Sequence, residues 1–170
     1  MIFMSQSGIT DPARESDWDR WYVGHLDLMA SVPGIASAQR FRTATPEHPP
    51  SLAMYSVASA AVFEDPYYLS VRGMGEWLAL IDRRHYKRNL FEGAQLAPEV
   101  HDGEVLLVAD RAVPDAALGG ATWTWLECVG IDRSTPYRGI AVVDAAQGDS
   151  VARGAAIAVY RPASRRHAPK

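Results

Sequence analysis

The chain has 170 residues, of which 48% are hydrophobic and 22% are charged, and its net charge is −3. This composition is typical of a folded globular protein and excludes an intrinsically disordered chain. The slightly acidic balance argues against nucleic-acid binding, which needs a basic face. No apolar run approaches the ~18 residues of a membrane span. We therefore expect neither a nucleic acid nor a membrane as partner.

Cysteine usage indicates the compartment. Cys128 is the single cysteine of the sequence, so a disulfide within the chain and a cysteine-based metal site are both excluded. Residues 1–7 carry no basic segment and no long apolar run, so they are predicted to form a strand rather than a secretory signal. These features favour a reducing, cytoplasmic location.

The first predicted element is a helix over residues 14–31, which Pro33 and Gly34 terminate. At 100° per residue, a polar stripe that includes Asp17 and Asp27 lies opposite an aromatic and apolar arc. That arc contains Trp18, Trp21, Tyr22, His25, Leu26, Met29 and Val32. One face of this helix is therefore predicted to be buried.

The elements that follow predict an α+β fold. Strands are expected over 35–43, 52–63 and 83–91, with a helix between the last two that starts at an Asp-Pro pair, 65–66. Its pattern is interrupted near Arg72. The order β-α-β-β-α-β is that of a ferredoxin-like lobe, which we place at residues 1–95.

Residues 96–162 are predicted to form a second, degenerate ferredoxin-like lobe without a long first helix. Ser134-Thr135-Pro136-Tyr137 repeats the pattern of Asp65-Pro66-Tyr67, so it is expected to start another helix. The predicted elements are strands over 104–111, 122–131 and 154–161 and a helix over 136–146. The basic end of the chain, 163–170, is expected to be disordered.

A family resemblance rests on one segment. Trp18, Trp21-Tyr22, His25-Leu26, Val32-Pro33-Gly34 and Arg40-Phe41 together resemble the EthD-like group of the dimeric α+β barrel superfamily. The resemblance covers residues 1 to about 95 and extends further only through the repeat. It implies ferredoxin-like lobes whose sheets face each other around a pocket, either within a dimer or within one tandem chain, and we expect a homodimer. It also implies small, often aromatic or lactone-like substrates, although that superfamily includes haem-binding and cofactor-free enzymes alike.

His25 is the first candidate for a catalytic residue. A histidine surrounded by aromatic side chains can titrate near neutrality and carry a proton to or from a carbonyl compound. Tyr22, one turn away, can polarise an oxygen atom through its hydroxyl. The alternative for both residues is a role in the core, with His25 hydrogen-bonded to a backbone carbonyl or a carboxylate.

The candidate substrate-binding residues come from the same helix and from three strands. Arg40 shares a strand face with small residues, so it could clamp a carboxylate in a cavity, or lie at a solvated edge. The polar strand 83–91 could bind an anion on one face, or be a solvated edge. The full set is Trp18, Trp21, Met29, Arg40, Tyr55, His85, Tyr86, Arg88 and Asn89.

The sequence lacks nucleotide-binding glycine motifs and the histidine spacings of metal sites. We therefore expect no cofactor and no metal. The favoured function is a cofactor-independent lyase or isomerase in a catabolic pathway, with proton transfer by His25. Its substrate would be a small, aromatic, carbonyl- or carboxylate-bearing metabolite. The alternatives are a cofactor-free oxygenase and a non-catalytic small-molecule-binding or stress-related barrel protein.

Overall fold

The computed structural model of the chain describes residues 1–45, 47–115, 118, 120–152 and 156–169. The strands are β1 Ile2–Ser7, β2 Ile35–Arg42, β3 Ser51–Val57, β4 Lys87–Glu92, β5 Glu104–Arg111, β6 Thr124–Ile131, β7 Tyr137–Asp144 and β8 Ala158–Pro162. The α-helices are α1 Glu15–Ala30, α2 Pro66–Val71 and α3 Ala145–Val151. Short 3-10 helices cover Pro12–Arg14, Ala60–Glu64 and Gly75–Leu80.

These eight strands of the described residues close into one antiparallel barrel, in the order β1-β3-β2-β8-β5-β7-β6-β4. Counted within β1–β4 and within β5–β8, both halves have the order fourth, first, third, second. The joints between the halves are β2 with β8 and β4 with β6. The chain thus closes a barrel without a second subunit, and the α+β architecture is confirmed.

The interior of the barrel is a packed core. Side chains alternate along each strand, so Ile2 and Met4 of β1 point inward while Phe3 and Ser5 point outward beneath α1. The inward apolar set includes Ile2, Met4, Phe41, Leu52, Met54, Phe91, Leu106, Val108, Leu126, Ile140, Ala158 and Tyr160. The expected hollow between facing sheets is therefore wrong, because large side chains from both halves fill that space.

The helix starts predicted in the first half are confirmed. The long helix predicted over 14–31 is α1, and its first turn is preceded by a 3-10 turn capped by the side chain of Asp11. Asp65 caps α2, since its carboxylate accepts hydrogen bonds from the backbone N–H of Tyr67 and Tyr68. The predicted interruption of this second helix near Arg72 is also present, since α2 ends at Val71. None of the helices in the described ranges is both long and apolar enough to cross a membrane.

Two strands in the first half are shorter than predicted. β3 ends at Val57, and the chain then enters the 3-10 helix at 60–64, so the apolar run to Phe63 is not one strand. Residues 82–85 form a turn in which Asp82 accepts from the backbone N–H of Arg84, and β4 begins only at Lys87. His85 therefore does not share a strand with Arg88, because an aspartate-centred turn precedes the strand.

The helix predicted over 136–146 is wrong. Tyr137–Asp144 is strand β7, and α3 occupies only the seven residues that follow. Alternate residues of β7 face the two sides of the barrel wall, and a Cβ on Gly139 would lie 2.9–3.0 Å from the rings of Trp123 and Trp125. The β-branched run and this close ring packing favour the strand over the local Pro-Tyr signal.

The end of the chain also differs from the expected disorder. Residues 163–169 run beside β2, where the backbone groups of Ala38 and His167 exchange hydrogen bonds of 2.9 and 2.8 Å. The His167 imidazole is buried and lies 2.7 Å from Asp27 of α1. This segment continues the seam between the two halves, because β2 and β8 themselves pair over only two residues each.

Candidate functional site

A pocket with a volume of about 400 Å³ lies outside the barrel, between α1, the 66–80 segment and the outer face of strands β1, β3 and β4. Its walls come from β1, β3, β4, α1 and the turn after α2. The lining residues are Phe3, Ser5, Tyr22, His25, Met29, Tyr55, Tyr68, Arg72, Gly73, Met74, Leu78, Tyr86 and Arg88. Six of the residues proposed from sequence are brought together here: Tyr22, His25, Met29, Tyr55, Tyr86 and Arg88.

Helix α1 positions His25 at the pocket wall. Trp18 and Tyr22 are buried on the same face of the helix and anchor it to the sheet. The imidazole of His25 stacks on the Trp21 indole at a centroid distance of 4.7 Å and an interplanar angle of 12°. It meets the Tyr22 ring edge-on at 5.7 Å. The ring plane of the histidine is thus fixed by aromatic contacts.

His25 is an uncharged base in the resting protein. Burial lowers its pKa from 6.5 to about 4, because removing the ring from water disfavours the charged imidazolium. Within the described residues, its ring nitrogens make no hydrogen bond to a protein group. This differs from a core histidine held by a carbonyl or carboxylate, and it leaves a nitrogen free for a ligand.

The lowered pKa of His25 predicts a pH-dependent contribution to stability. Between pH about 6.5 and about 4 the unfolded chain binds a proton that the folded chain excludes, so folding stability falls as the pH falls. We expect His25→Gln, which cannot titrate, to lose less stability over this range than the unchanged protein. Denaturant unfolding of both proteins at several pH values measures the difference. Parallel pH profiles would contradict the prediction.

Tyrosine hydroxyls supply the other polar groups of the pocket. Burial raises the pKa of Tyr22, and the Arg40 guanidinium nearby only partly opposes that effect. Burial also raises the pKa of Tyr55 and of Tyr68. These phenols therefore stay protonated at neutral pH, and a protonated phenol can donate a hydrogen bond. The Tyr22 hydroxyl has the Ser7 side chain beside it.

Arg40 does not line the pocket. Its side chain is 2% exposed, lies 2.7 Å from an Asp19 carboxylate oxygen, and donates from Nε to the Ser51 hydroxyl at 3.0 Å. The guanidinium carbon sits 4.7 Å from the Trp18 ring centre and 4.2 Å from that of Tyr22. The expected carboxylate clamp is wrong, because α1 covers this strand position and supplies its own counterion.

The remaining predicted residues also lie outside the pocket lining. Trp18 is fully buried beneath the site, whereas Trp21 lines an adjoining shelf of about 480 Å³ that shares His25 and Arg72 with the pocket. Asn89 lies on the opposite face of β4 from Arg88 and binds the hydroxyl and backbone N–H of Ser134. His85, in the turn before β4, is placed beside Gly8.

Several lining residues were absent from the sequence-based set. Phe3 and Ser5 belong to β1, whose alternation could have identified them once the buried face was known. Tyr68 and Arg72 come from α2 and its end. The turn after α2 depends on positive φ values at Gly73 and Gly75, 104° and 50°. Sequence alone gave no signal that this turn would place Arg72 beside His25.

A larger hollow of about 940 Å³ lies near the ends of β3 and β4, away from these groups. Backbone atoms and small residues such as Gly34 and Ala36 line it. Among its described lining residues, Glu92 carries the titratable side chain. The Met1 amine there already donates a hydrogen bond to the Val57 carbonyl at 3.0 Å. We therefore place the candidate site in the smaller, histidine-containing pocket.

The expectation that no metal is bound concerns the positions of side chains that could act as metal ligands. In the described ranges, no three side chains of His, Cys, Asp or Glu come close enough together to hold a metal ion. Cys128, half-buried in β6, lies 3.5 Å from the Asn89 side-chain oxygen, and burial raises the pKa of its thiol.

Comparison with solved structures identifies a relative in fold. The chain is similar to the crystal structure of TA0507, a protein named as a candidate chlorite dismutase, with a TM-score of 0.59 and 9% identity. The match covers 95% of this chain and 93% of that one. No protein-family model matches the chain, and no curated protein matches it either. The likeness shows that the two chains share a fold, and at this identity it shows the fold alone.

Proposed function

We propose that the pocket beside His25 is the active site of a cofactor-independent lyase or isomerase. Its substrate would be a small, aromatic metabolite that bears a carbonyl or carboxylate group, as in a catabolic pathway. The observation that carries the proposal is a neutral imidazole with no protein hydrogen-bond partner among the described residues, placed at the wall of a pocket of about 400 Å³.

The fold supports the same assignment at a coarser level. We propose that β1–β4 and β5–β8 are two ferredoxin-like lobes, since each half repeats one strand order. This would make the chain a fused version of a dimeric α+β barrel, consistent with its likeness to TA0507. Membership of the EthD-like group, a homodimer and a cytoplasmic location remain parts of the proposal.

The pocket geometry fits a planar, mostly apolar ligand. Phe3 and Tyr55 have stacked rings 5.4 Å apart on the floor of the site, and Met29 and Met74 add flexible apolar surface. A volume of about 400 Å³ lies within the usual range for small-molecule sites. An aromatic body of one or two rings would fill it.

The proposed step is a proton transfer. The neutral His25 nitrogen accepts a proton from a carbon next to the substrate carbonyl, and the C–H electron pair moves toward the carbonyl oxygen. The Tyr22 hydroxyl donates a hydrogen bond to that oxygen as negative charge develops. The enolate then stabilises the imidazolium beside it, which offsets the burial that lowers the pKa of His25. Returning the proton elsewhere gives isomerisation, and loss of a leaving group gives elimination.

A binding and turnover screen tests the assignment. Aromatic ketones, lactones and carboxylates would be incubated with the protein without added cofactor, and both binding and product would be followed by NMR. Ser5→Phe fills the pocket from β1, so we expect affinity to fall at least roughly tenfold. Ala36→Phe places the same ring in the larger hollow and should leave affinity unchanged.

The outcomes separate the competing functions. Turnover in anaerobic solution supports a lyase or isomerase, whereas turnover that requires oxygen would indicate the cofactor-free oxygenase. Binding that is sensitive to Ser5→Phe but never leads to product would indicate a small-molecule-binding protein. Equal affinity in the Ser5→Phe variant would remove the pocket from consideration.

A further inference from the structure

We propose that Arg72 anchors a carboxylate of the ligand at the mouth of the His25 pocket. The ligand would therefore be an aromatic carboxylate that enters ring first. The inference rests on the proposed function, because it assigns a substrate class to the same pocket. Arg72 was not among the residues that the sequence suggested, and it follows from the charges of the completed site.

The charge of the lining points to an anion. Neither the pocket nor the adjoining shelf has an aspartate or glutamate among its described lining residues, although the whole chain carries a net charge of −3. The charged side chains of the lining are Arg72 and Arg88. Tyr22, Tyr55, Tyr68 and His25 are uncharged at neutral pH for the reasons given above. The site is thus a local positive region on an acidic protein.

Arg88 is already committed to a protein partner. Its Nη2 lies 3.1 Å from one Asp132 carboxylate oxygen, and its backbone N–H donates to the other at 2.8 Å. The guanidinium carbon also lies 5.3 Å from the Tyr86 ring centre. These contacts compensate the charge of Arg88 and fix its side chain as part of the wall.

Arg72 has no such partner. Its side chain is exposed at the end of α2, and its guanidinium makes no hydrogen bond or ion pair with any residue that the structure describes. Its backbone N–H is held by the Tyr68 carbonyl at 2.9 Å, so the side chain starts from a fixed point. The same residue borders both the pocket and the shelf, as His25 does.

One free guanidinium beside a neutral, aromatic pocket matches one negative charge on an aromatic body. A guanidinium binds a carboxylate through two parallel hydrogen bonds, which fixes the orientation of the ligand. Because the mouth remains in contact with water, the anion is not fully desolvated and salt weakens its attraction to Arg72. The rings would then lie against Phe3 and Tyr55, with His25 between the two ends.

The test compares 2-naphthoate with its uncharged carboxamide, which has nearly the same shape. Isothermal titration would measure both affinities in the unchanged protein, in Arg72→Gln and in Arg83→Gln. Arg83 is an exposed arginine outside the pocket lining, so its substitution makes the same change in net charge. We expect the unchanged protein to prefer the carboxylate by about tenfold, as one charge-assisted hydrogen-bonded pair provides.

Arg72→Gln should abolish this preference and Arg83→Gln should retain it, and added salt should reduce it only while Arg72 is present. A preference that persists in Arg72→Gln, or that is lost equally in Arg83→Gln, would overturn the assignment. If the carboxamide binds as tightly as the carboxylate and Ser5→Phe weakens the binding of both, the pocket assignment is supported and the role of Arg72 as an anion anchor is contradicted. If neither compound binds, the proposed site fails together with the anchor.

Discussion

His25→Ala is expected to lower kcat by roughly 10²- to 10⁴-fold, the usual contribution of a positioned general base. The cause is the loss of the uncharged nitrogen that accepts the substrate proton. Ligand affinity should change little, because Phe3, Tyr55 and the methionines form most of the apolar surface. The measurement is single-turnover kinetics on the substrate that the screen identifies, together with its dissociation constant.

His85→Ala provides a matched control. This histidine is also partly buried, but it lies in the turn before β4 and outside the pocket lining. We expect its removal to leave kcat unchanged. The activity of the unchanged protein should also fall as the pH drops through about 4, where His25 gains its proton. If His25→Ala retained full turnover, the imidazole would have no role as a base.

The part of the site that lies on α1 could be predicted from the sequence, because helical periodicity determines which side chains share one face. Trp18, Tyr22, His25 and Met29 recur at spacings of three and four residues, so an α-helix must place them on one side. Strand alternation placed Arg88 on one face with Tyr86, whereas the sequence did not indicate that Tyr55 of another strand would line the same pocket. In a regular helix or strand, the backbone geometry determines the direction of each side chain. The side chains that face the pocket from such an element can therefore be predicted.

The parts that sequence could not predict depend on partners distant along the chain. Arg40 resembled a ligand clamp because its counterion, Asp19, becomes a neighbour only when α1 docks on β2. Arg72 reaches the pocket through a turn at two glycines with positive φ. The strand at Tyr137–Asp144 is favoured by its β-branched residues and by close packing against the Trp123 and Trp125 rings, which lie outside that segment.

The prediction with the largest expected effect on stability concerns an ion pair of the barrel interior. Arg138 of β7 is fully buried, and its guanidinium donates to both oxygens of Asp110 at 2.7 and 2.8 Å. It also donates to the Gln6 side-chain oxygen at 2.8 Å and lies 5.2 Å from the Phe91 ring centre. The two partners differ in environment, since the Asp110 side chain is 43% exposed and that of Arg138 is 1% exposed.

This asymmetry predicts that removing the carboxylate costs more than removing the guanidinium. Asp110→Asn leaves a buried positive charge without a counterion, and we expect a loss of about 3–5 kcal/mol in the free energy of unfolding. Arg138→Met leaves a carboxylate that water can reach and replaces the charge with an apolar chain, so its cost should be smaller. Denaturant unfolding of each variant measures both.

Asp132→Asn serves as the surface comparison, because its partner Arg88 is 38% exposed and the pair should contribute less than about 1 kcal/mol. The expected order of destabilisation is therefore Asp110→Asn, then Arg138→Met, then Asp132→Asn. Combining Asp110→Asn with Arg138→Met should recover stability relative to Asp110→Asn alone, because the double variant no longer buries an unpaired charge. Equal losses for Asp110→Asn and Asp132→Asn would mean that water reaches Arg138 inside the barrel, and the interior would then not be the closed core that positions β1 and β4 beneath the pocket.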